Sequence, residues 1–417
     1  MDGRIDLARA CLQDCEHMSR RRFLGFTATL AASLALPHSS SQAASRDPRF
    51  LLVILRGALD GLSAVLPVGD PDFARVRAGF LEDVSQAGKP LPIGTMFALN
   101  PALARLAALY AQGQAAIVHA VATPYRERSH FDGQEVLESG LPVVTHGDSG
   151  WLNRAAAALP LAGSLAVRDS RALAVGPTVP LVLRGEAPVT SWSPDQLTDA
   201  SEDTIARLLT LYQGRDPALA GALTHAATLG GQVLAGASAL SPAGKGAEVV
   251  LQMADGAARL LARPDGPRLA ALSIDGWDTH ADEKPGTGRL GKLLGVLDQL
   301  FDRLHAGLAP VWSDTVIVAA TEFGRTVHIN GTSGTDHGTA TAAFLLGGAV
   351  KGGQVIADWP GLAVKALLDG RDLMPTLDLR SVLKPILVSH LGLEPRIVAE
   401  RVFPRSEDVA SLTSILA

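Results

Sequence analysis

Cysteine is almost missing from this 417-residue chain: it has two, Cys11 and Cys15, and none after them. Everything beyond Cys15 therefore lacks a disulfide and a thiol nucleophile. No stretch reaches membrane-spanning length without charges or turn residues. After the arginine-rich start no Lys/Arg stripe stands out, and the formal net charge is -5, so nucleic acid is not an expected partner. There is no P-loop, no G-x-G-x-x-G after a strand, no G-x-S-x-G elbow and no H-E-x-x-H. Those absences remove the usual nucleotide, dinucleotide, α/β-hydrolase and zinc-protease readings. No internal repeat is present.

What remains is a slightly apolar globular composition, 47% hydrophobic and 19% charged, with length enough for a large core. The start reads as a targeting segment. Ser19-Arg20-Arg21-Arg22-Phe23-Leu24 fits the twin-arginine pattern, a mildly apolar run continues to Pro37, and Ser41-Gln42-Ala43 offers a small-residue cleavage point. Residues 1–43 are thus expected to be a twin-arginine signal, with an over-long start before Met18 as an option, and the product is expected in the periplasm or secreted.

From 44 to 417 a single α/β domain is expected. Phe50 to Leu55 and Ala115 to Val121 are continuous apolar runs that read as buried strands, with a helix from Asn100 to Gln112 between them. Strand, helix, strand implies a parallel sheet. A helix over Arg128 to Gly140 follows. Residues from about 193 to 263 read as a helical insertion. Strands over Arg268 to Ile274, Thr315 to Ala320 and Thr341 to Leu346 then alternate with a helix over Leu290 to Ala306, and a closing helix covers Leu379 to Leu391.

Carboxylates and imidazoles collect beside these strands. Asp60 follows the first, Asp278 and His280 follow another, Glu322 ends Thr315 to Ala320, and Asp336-His337-Gly338 precedes Thr341. Mixed Asp/Glu/His sets suit a divalent metal, zinc or manganese before calcium. In an extended segment Asp278 and His280 share one side. Each has a plainer reading: Asp60 as a turn acid before Gly61, Asp278 as part of a capped turn, Glu322 as the partner of Arg325. Ser129 opens a helix, where it can be a nucleophile or, with Asp132, a capping box. Arg128 and Arg325 can bind phosphate oxygens. His328 can contact substrate, whereas His119, His225, His305 and His390 read as structural.

With these clusters in order, the chain resembles the secreted bacterial family catalogued as domain of unknown function 1501, which is grouped with the alkaline phosphatase and sulfatase superfamily. The carriers are Leu55-Arg56-Gly57-Ala58-Leu59-Asp60-Gly61-Leu62, Ser129-His130-Phe131-Asp132, Gly150-Trp151-Leu152-Asn153-Arg154, Trp277-Asp278-Thr279-His280, Thr321-Glu322-Phe323-Gly324-Arg325-Thr326 and Gly334-Thr335-Asp336-His337-Gly338. The resemblance implies an alkaline phosphatase-like fold, a mostly parallel central sheet with helices on both faces. It implies metal ligands at Asp60, Asp278, His280, Glu322 and His337, a nucleophile at Ser129, and Arg128 or Arg325 on the transferred group. Phe323 departs from the superfamily, which places a second His ligand there, so one metal site is missing or borrows Asp336. Without cysteine, and with His130-Phe131-Asp132-Gly133 after Ser129, formylglycine formation has no substrate. The expectation is an exported metal-dependent hydrolase of a small-molecule or envelope phosphomonoester or phosphodiester. The competing expectations are a non-catalytic envelope protein binding a metal or ligand on the same scaffold, a sulfatase-like hydrolase, and a transferase.

Overall fold

The computed structural model describes residues 47–159, 171–194 and 246–417, with scattered positions between 209 and 224. The expected leader, and most of the expected insertion, lie outside the described residues.

The strands are β1 (Arg49–Leu55), β2 (Val65–Leu66), β3 (Leu91–Pro92), β4 (Ala98–Leu99), β5 (Ala115–Ala122) and β6 (Ala172–Val175). They continue as β7 (Val189–Trp192), β8 (Leu269–Ile274), β9 (Thr315–Ala320), β10 (Thr341–Leu346), β11 (Gln354–Ile356) and β12 (Leu377–Asp378). Among the described residues, nine of them form one sheet in the order β11-β5-β10-β9-β1-β8-β6-β7, with β12 also pairing β5, and β2, β4 and β3 form a small separate sheet. β1 is the centre, parallel to both neighbours: Leu51 lies opposite Ala270 of β8 and Ile317 of β9. Every residue of β1 is buried, as a strand covered on both faces demands.

Helices cover both faces. Their labels are α1 (Ala104–Ala111), α2 (His130–Ser139), α3 (Trp151–Ala158), α4 (Ala247–Leu261), α5 (Arg289–Gly307) and α6 (Leu379–Pro385). Leu51, Val53 and Leu55 pack with α1, α4 and α5 on one face, while Phe50, Leu52 and Ile54 pack with α2, α3 and α6 on the other. Leu290, Leu294, Leu297, Phe301 and Leu304 of α5 recur at helical spacing and are fully buried. The chain is therefore an α/β protein with a mostly parallel sheet.

Three details differ from expectation. α1 begins at Ala104 rather than at Asn100: Asn100 Oδ1 accepts from the Ala102 amide at 3.0 Å and its amide nitrogen donates to the carbonyls of Ser63 and Pro285, which holds a turn ahead of the helix. The closing helix is regular only to Pro385. A proline cannot donate to the carbonyl four residues back, and that carbonyl, of Ser381, instead accepts from the Leu412 amide at 2.9 Å. Residues Ile386–His390 continue as wider π turns.

The third difference positions the site. β10 runs antiparallel to both β5 and β9. Residues before β10 therefore lie on the rim where β1, β5, β8 and β9 end. In an all-parallel sheet Asp336 and His337 would sit at the opposite edge from Asp278. The reversed strand brings them to the same one.

Candidate metal centre

Four segments meet at this rim. The loop after β8 carries Asp278 and His280, the loop after β9 carries Glu322 and Arg325, the loop before β10 carries Asp336 and His337, and α2 opens with His130. Two glycines allow the approach. Gly57 sits at φ 117°, and a Cβ there would lie 2.5 Å from the Asp278 amide nitrogen. A Cβ on Gly338 would lie 2.3 Å from the Arg325 carbonyl carbon.

The atoms of His130, Asp278 and His337 that face one another all lie within 4.8 Å. Asp278 Oδ1 is 3.5 Å from His130 Nε2, 3.4 Å from His337 Nε2 and 3.1 Å from His280 Nε2. The Nε2 atoms of His280 and His337 are 2.9 Å apart. On the far side of each ring, Nδ1 meets an oxygen that can only accept: Glu322 Oε1 at 2.8 Å for His130, the Arg128 carbonyl at 2.8 Å for His337, and Asp336 Oδ1 at 3.2 Å for His280. Nδ1 therefore carries the proton in all three, and in the singly protonated ring this leaves the Nε2 lone pairs converging on one point. Two lone pairs at 2.9 Å repel unless a proton or a cation lies between them. His130 Nε2 is buried and makes no hydrogen bond at all, and such orphans are uncommon in a folded interior.

The charges fit this arrangement. The Glu322 hydrogen bond raises the His130 pKa above the ordinary imidazole value, more than burial lowers it. Burial is the main influence on His337 and pushes it down. Burial works to raise Asp278, but the hydrogen bond and charge of Arg325 outweigh it and hold the carboxyl below its usual range.

The structure does not bring all the expected residues into the cluster. Asp60 is buried and gives both oxygens to Arg77, and Oδ1 also accepts from the Leu62 amide. Glu322 has no exposure. Its Oε1 takes the Gly57 amide, His130 and Gln134, and its Oε2 takes the Thr321 hydroxyl. It orients His130 and leaves no oxygen aimed at the shared point. Asp336 does the same for His280 and also accepts from Asn330.

The arginines are spent too. Buried Arg325 donates to Asp278 at 2.7 Å and to the hydroxyl and carbonyl of Thr335, so it is a fixed part of the frame. Arg128 donates to Asp372 at 2.8 Å. Ser129 is the N-cap residue of α2, but its side chain makes no cap hydrogen bond, so the capping-box reading fails. Asp132 instead accepts from the Tyr125 hydroxyl. Exposed His328 stays outside the cluster. His119 is buried, its ring bonded to the Val65 carbonyl and its pKa pushed down to about 4, mainly by burial. His390 bonds the Arg49 carbonyl and His305 packs on Trp312. His225 lies outside the described residues.

His130 joins the cluster although the sequence motifs assign it no role of its own. The available signal was its spacing: His130 and Gln134, four apart on one helix face, both reach Glu322. Phe323, the expected departure from the superfamily pattern, stacks on His130 with ring centroids 5.0 Å apart and closes that side with carbon. Beside the centre, a cavity of about 1110 Å³ is lined by Phe131 and Gln134 of α2 and by Ser273, Ile274 and Asp275 at the end of β8. None of the four converging residues lines it, and Phe131 on its wall is 88% exposed.

Solved structures with a similar course of chain include the phosphonate monoester hydrolase of Agrobacterium radiobacter, 14% identical, covering 83% of this chain and 74% of that one, with a TM-score of 0.33. A protein in the alkaline phosphatase superfamily from Vibrio parahaemolyticus is 10% identical, covering 84% and 68%, with a TM-score of 0.36. A 2-O GAG sulfatase is 11% identical, covering 88% and 73%, also with a TM-score of 0.36. These superpositions are too loose to carry residue roles across. No curated protein matches the chain. A family model does: it matches residues 91–402, three quarters of the sequence, and the chain belongs to the family described as "Protein of unknown function (DUF1501)".

Proposed function

We propose that this chain is an exported, metal-dependent hydrolase of phosphate esters on an alkaline phosphatase-like scaffold, with one metal at His130, Asp278, His280 and His337. The observation that carries the reading is the convergence of three imidazole lone pairs and one carboxylate oxygen, with every Nδ1 held by an acceptor behind it. That is how proteins prepare histidines as ligands. The nitrogen-rich donor set favours zinc or manganese over calcium. When bound, such an ion supplies a Lewis acid for an ester oxygen. The chain supplies the rest. The Ser129 hydroxyl, unused as a cap, adjoins His130 and is the nucleophile of the proposal. The first turn of α2 presents amides to an anion, and the neighbouring cavity has room for the organic part of an ester. The Phe323 wall supports one ion rather than two. The missing cysteine supports phosphate over sulfate. The twin-arginine pattern at Ser19 to Leu24 supports export.

A second reading, an envelope protein that binds without turnover, is favoured by one observation: Arg325 and Arg128 both spend their guanidinium groups on protein acceptors. Metal analysis of the purified protein, with hydrolysis of aryl phosphate, phosphodiester and sulfate substrates, separates the two. The enzyme reading expects about one metal per chain, lost in Asp278→Ala, and phosphate-ester hydrolysis that falls by a factor of a hundred or more in Ser129→Ala with metal retained. Full metal loading without turnover of any ester leaves the binder. No bound metal ends the enzyme reading and leaves only a binder of some other ligand.

A further inference from the structure

Asp372 has no solvent exposure and belongs to none of the clusters considered so far. Four donors from three residues fill its carboxylate. Arg371 binds Oδ1 at 3.0 Å. The Nε and a terminal nitrogen of Arg128, each at 2.8 Å, and the Thr339 hydroxyl at 2.8 Å bind Oδ2. Both arginines touch His337. The Arg128 carbonyl accepts from His337 Nδ1 at 2.8 Å, and Arg371 donates to the His337 carbonyl at 2.8 Å.

Arg128 also has φ 61°, a left-handed conformation that costs a residue with a Cβ. This conformation turns its carbonyl onto the imidazole, and the tether from its side chain to Asp372 opposes relaxation. We infer that Asp372 is a positioning residue for His337: by tethering Arg128 it maintains the left-handed backbone whose carbonyl fixes the Nδ1–H tautomer, and by holding Arg371 it steadies the His337 main chain. This rests on the metal-centre reading only in what the aligned imidazole is for. The alignment itself is independent of any ion.

The test measures zinc affinity by competition with a chromogenic chelator and the tautomer of His337 by ¹⁵N spectra of histidine-labelled protein, assigned by its loss in His337→Gln. Asp372→Asn is expected to bind zinc roughly 10–100-fold more weakly and to show Nε2–H imidazole at His337. Asp369→Asn, which removes an exposed carboxylate 3.4 Å from Arg128, is expected to change neither. If Asp372→Asn does not fold, Arg128 decides the matter. Glycine accepts a positive φ without strain and alanine does not, so Arg128→Gly should keep more zinc affinity and more of the Nδ1–H tautomer than Arg128→Ala. Equal losses in the glycine and alanine variants, or an unchanged tautomer in Asp372→Asn, overturn the inference. Wild-type protein that binds no zinc but shows the predicted tautomer differences would sink the metal reading and leave the positioning role standing.

Discussion

Two groups of charged side chains are built into the loops around the centre of this sheet, and they differ in what is left over. In the first, Asp60, Arg77 and Glu283 are all buried, and Arg77 spends its donors on both oxygens of Asp60, the Ser63 hydroxyl and the carbonyls of Thr326 and Val327. That group ties the loop after β1 to the loop after β9. In the second, Asp278, His130, His280 and His337 are partly open to solvent, and each imidazole is satisfied on one side only. A closed set of donors and acceptors holds a fold together; a set with lone pairs remaining has capacity for a ligand. The carboxylates are the same in kind. Their partners make the difference.

The sharpest way to break this comparison is to remove one acid from each group. Asp60→Ala leaves the Arg77 guanidinium buried without its counter-charge, which costs about 3–5 kcal/mol. Chemical denaturation should show that loss, or the variant should fail to accumulate as folded protein. Asp278→Ala also removes the partner of a buried arginine, Arg325, but Asp278 is 41% exposed, so water can take its place beside the guanidinium, and the stability of metal-free protein should fall less. If the two lose equal stability, the division between closed and open groups is wrong.

That division was not legible in the sequence, although the scaffold under it was. Apolar runs such as Phe50 to Leu55 and Thr315 to Ala320 announce buried strands because a strand covered on both faces cannot place polar groups anywhere. They do not announce direction. The antiparallel course of β10, which puts His337 beside Asp278, is invisible in Thr341 to Leu346. Asp60 and Asp278 look alike in one dimension, each an acid in a loop just past a strand. What separates them is Arg77, seventeen positions after Asp60 and aimed back at it only once the loop between them has folded. Glu322 was legible as an acid at a strand end. Its role as support for His130 was not, because that depends on the Gly57 amide and on His130 and Gln134 of α2, all distant from it in the chain.

Glu322 tests the open group at intermediate strength. Glu322→Gln keeps the shape, and its carbonyl oxygen can still accept from His130 Nδ1, Gln134 and the Gly57 amide, but the negative charge behind His130 is lost. Metal affinity should fall roughly 10–100-fold, the range for losing a carboxylate behind a histidine ligand. Isothermal titration with zinc would read this. An unchanged affinity would mean that the charge behind His130 does not matter for the site.

The smallest effect concerns pH and lies in the closed group. Burial, and then the charge and hydrogen bond of Asp60, hold Glu283 well above the ordinary carboxyl value, so it is neutral where exposed glutamates are ionised. Asp60 moves the other way: burial works to raise it, but the charge and hydrogen bonds of Arg77 outweigh burial and keep it low. For Glu283 the folded value is raised above the unfolded one. Its contribution to stability is therefore complete below the unfolded carboxyl range and is lost as pH climbs toward the folded value. Asp60 contributes in the opposite sense, with stability present above its unfolded value and lost as pH falls. Glu283→Gln retains a neutral side chain that can donate to Asp60 and accept from Thr335, but it cannot ionise. Its Tm should match the wild type below about pH 4 and exceed it by a margin that grows as pH rises above the unfolded carboxyl value. A margin that stays constant across that range would show that Glu283 does not titrate between folded and unfolded chains in the way its burial requires, and the closed group would then carry two ionised acids around one arginine.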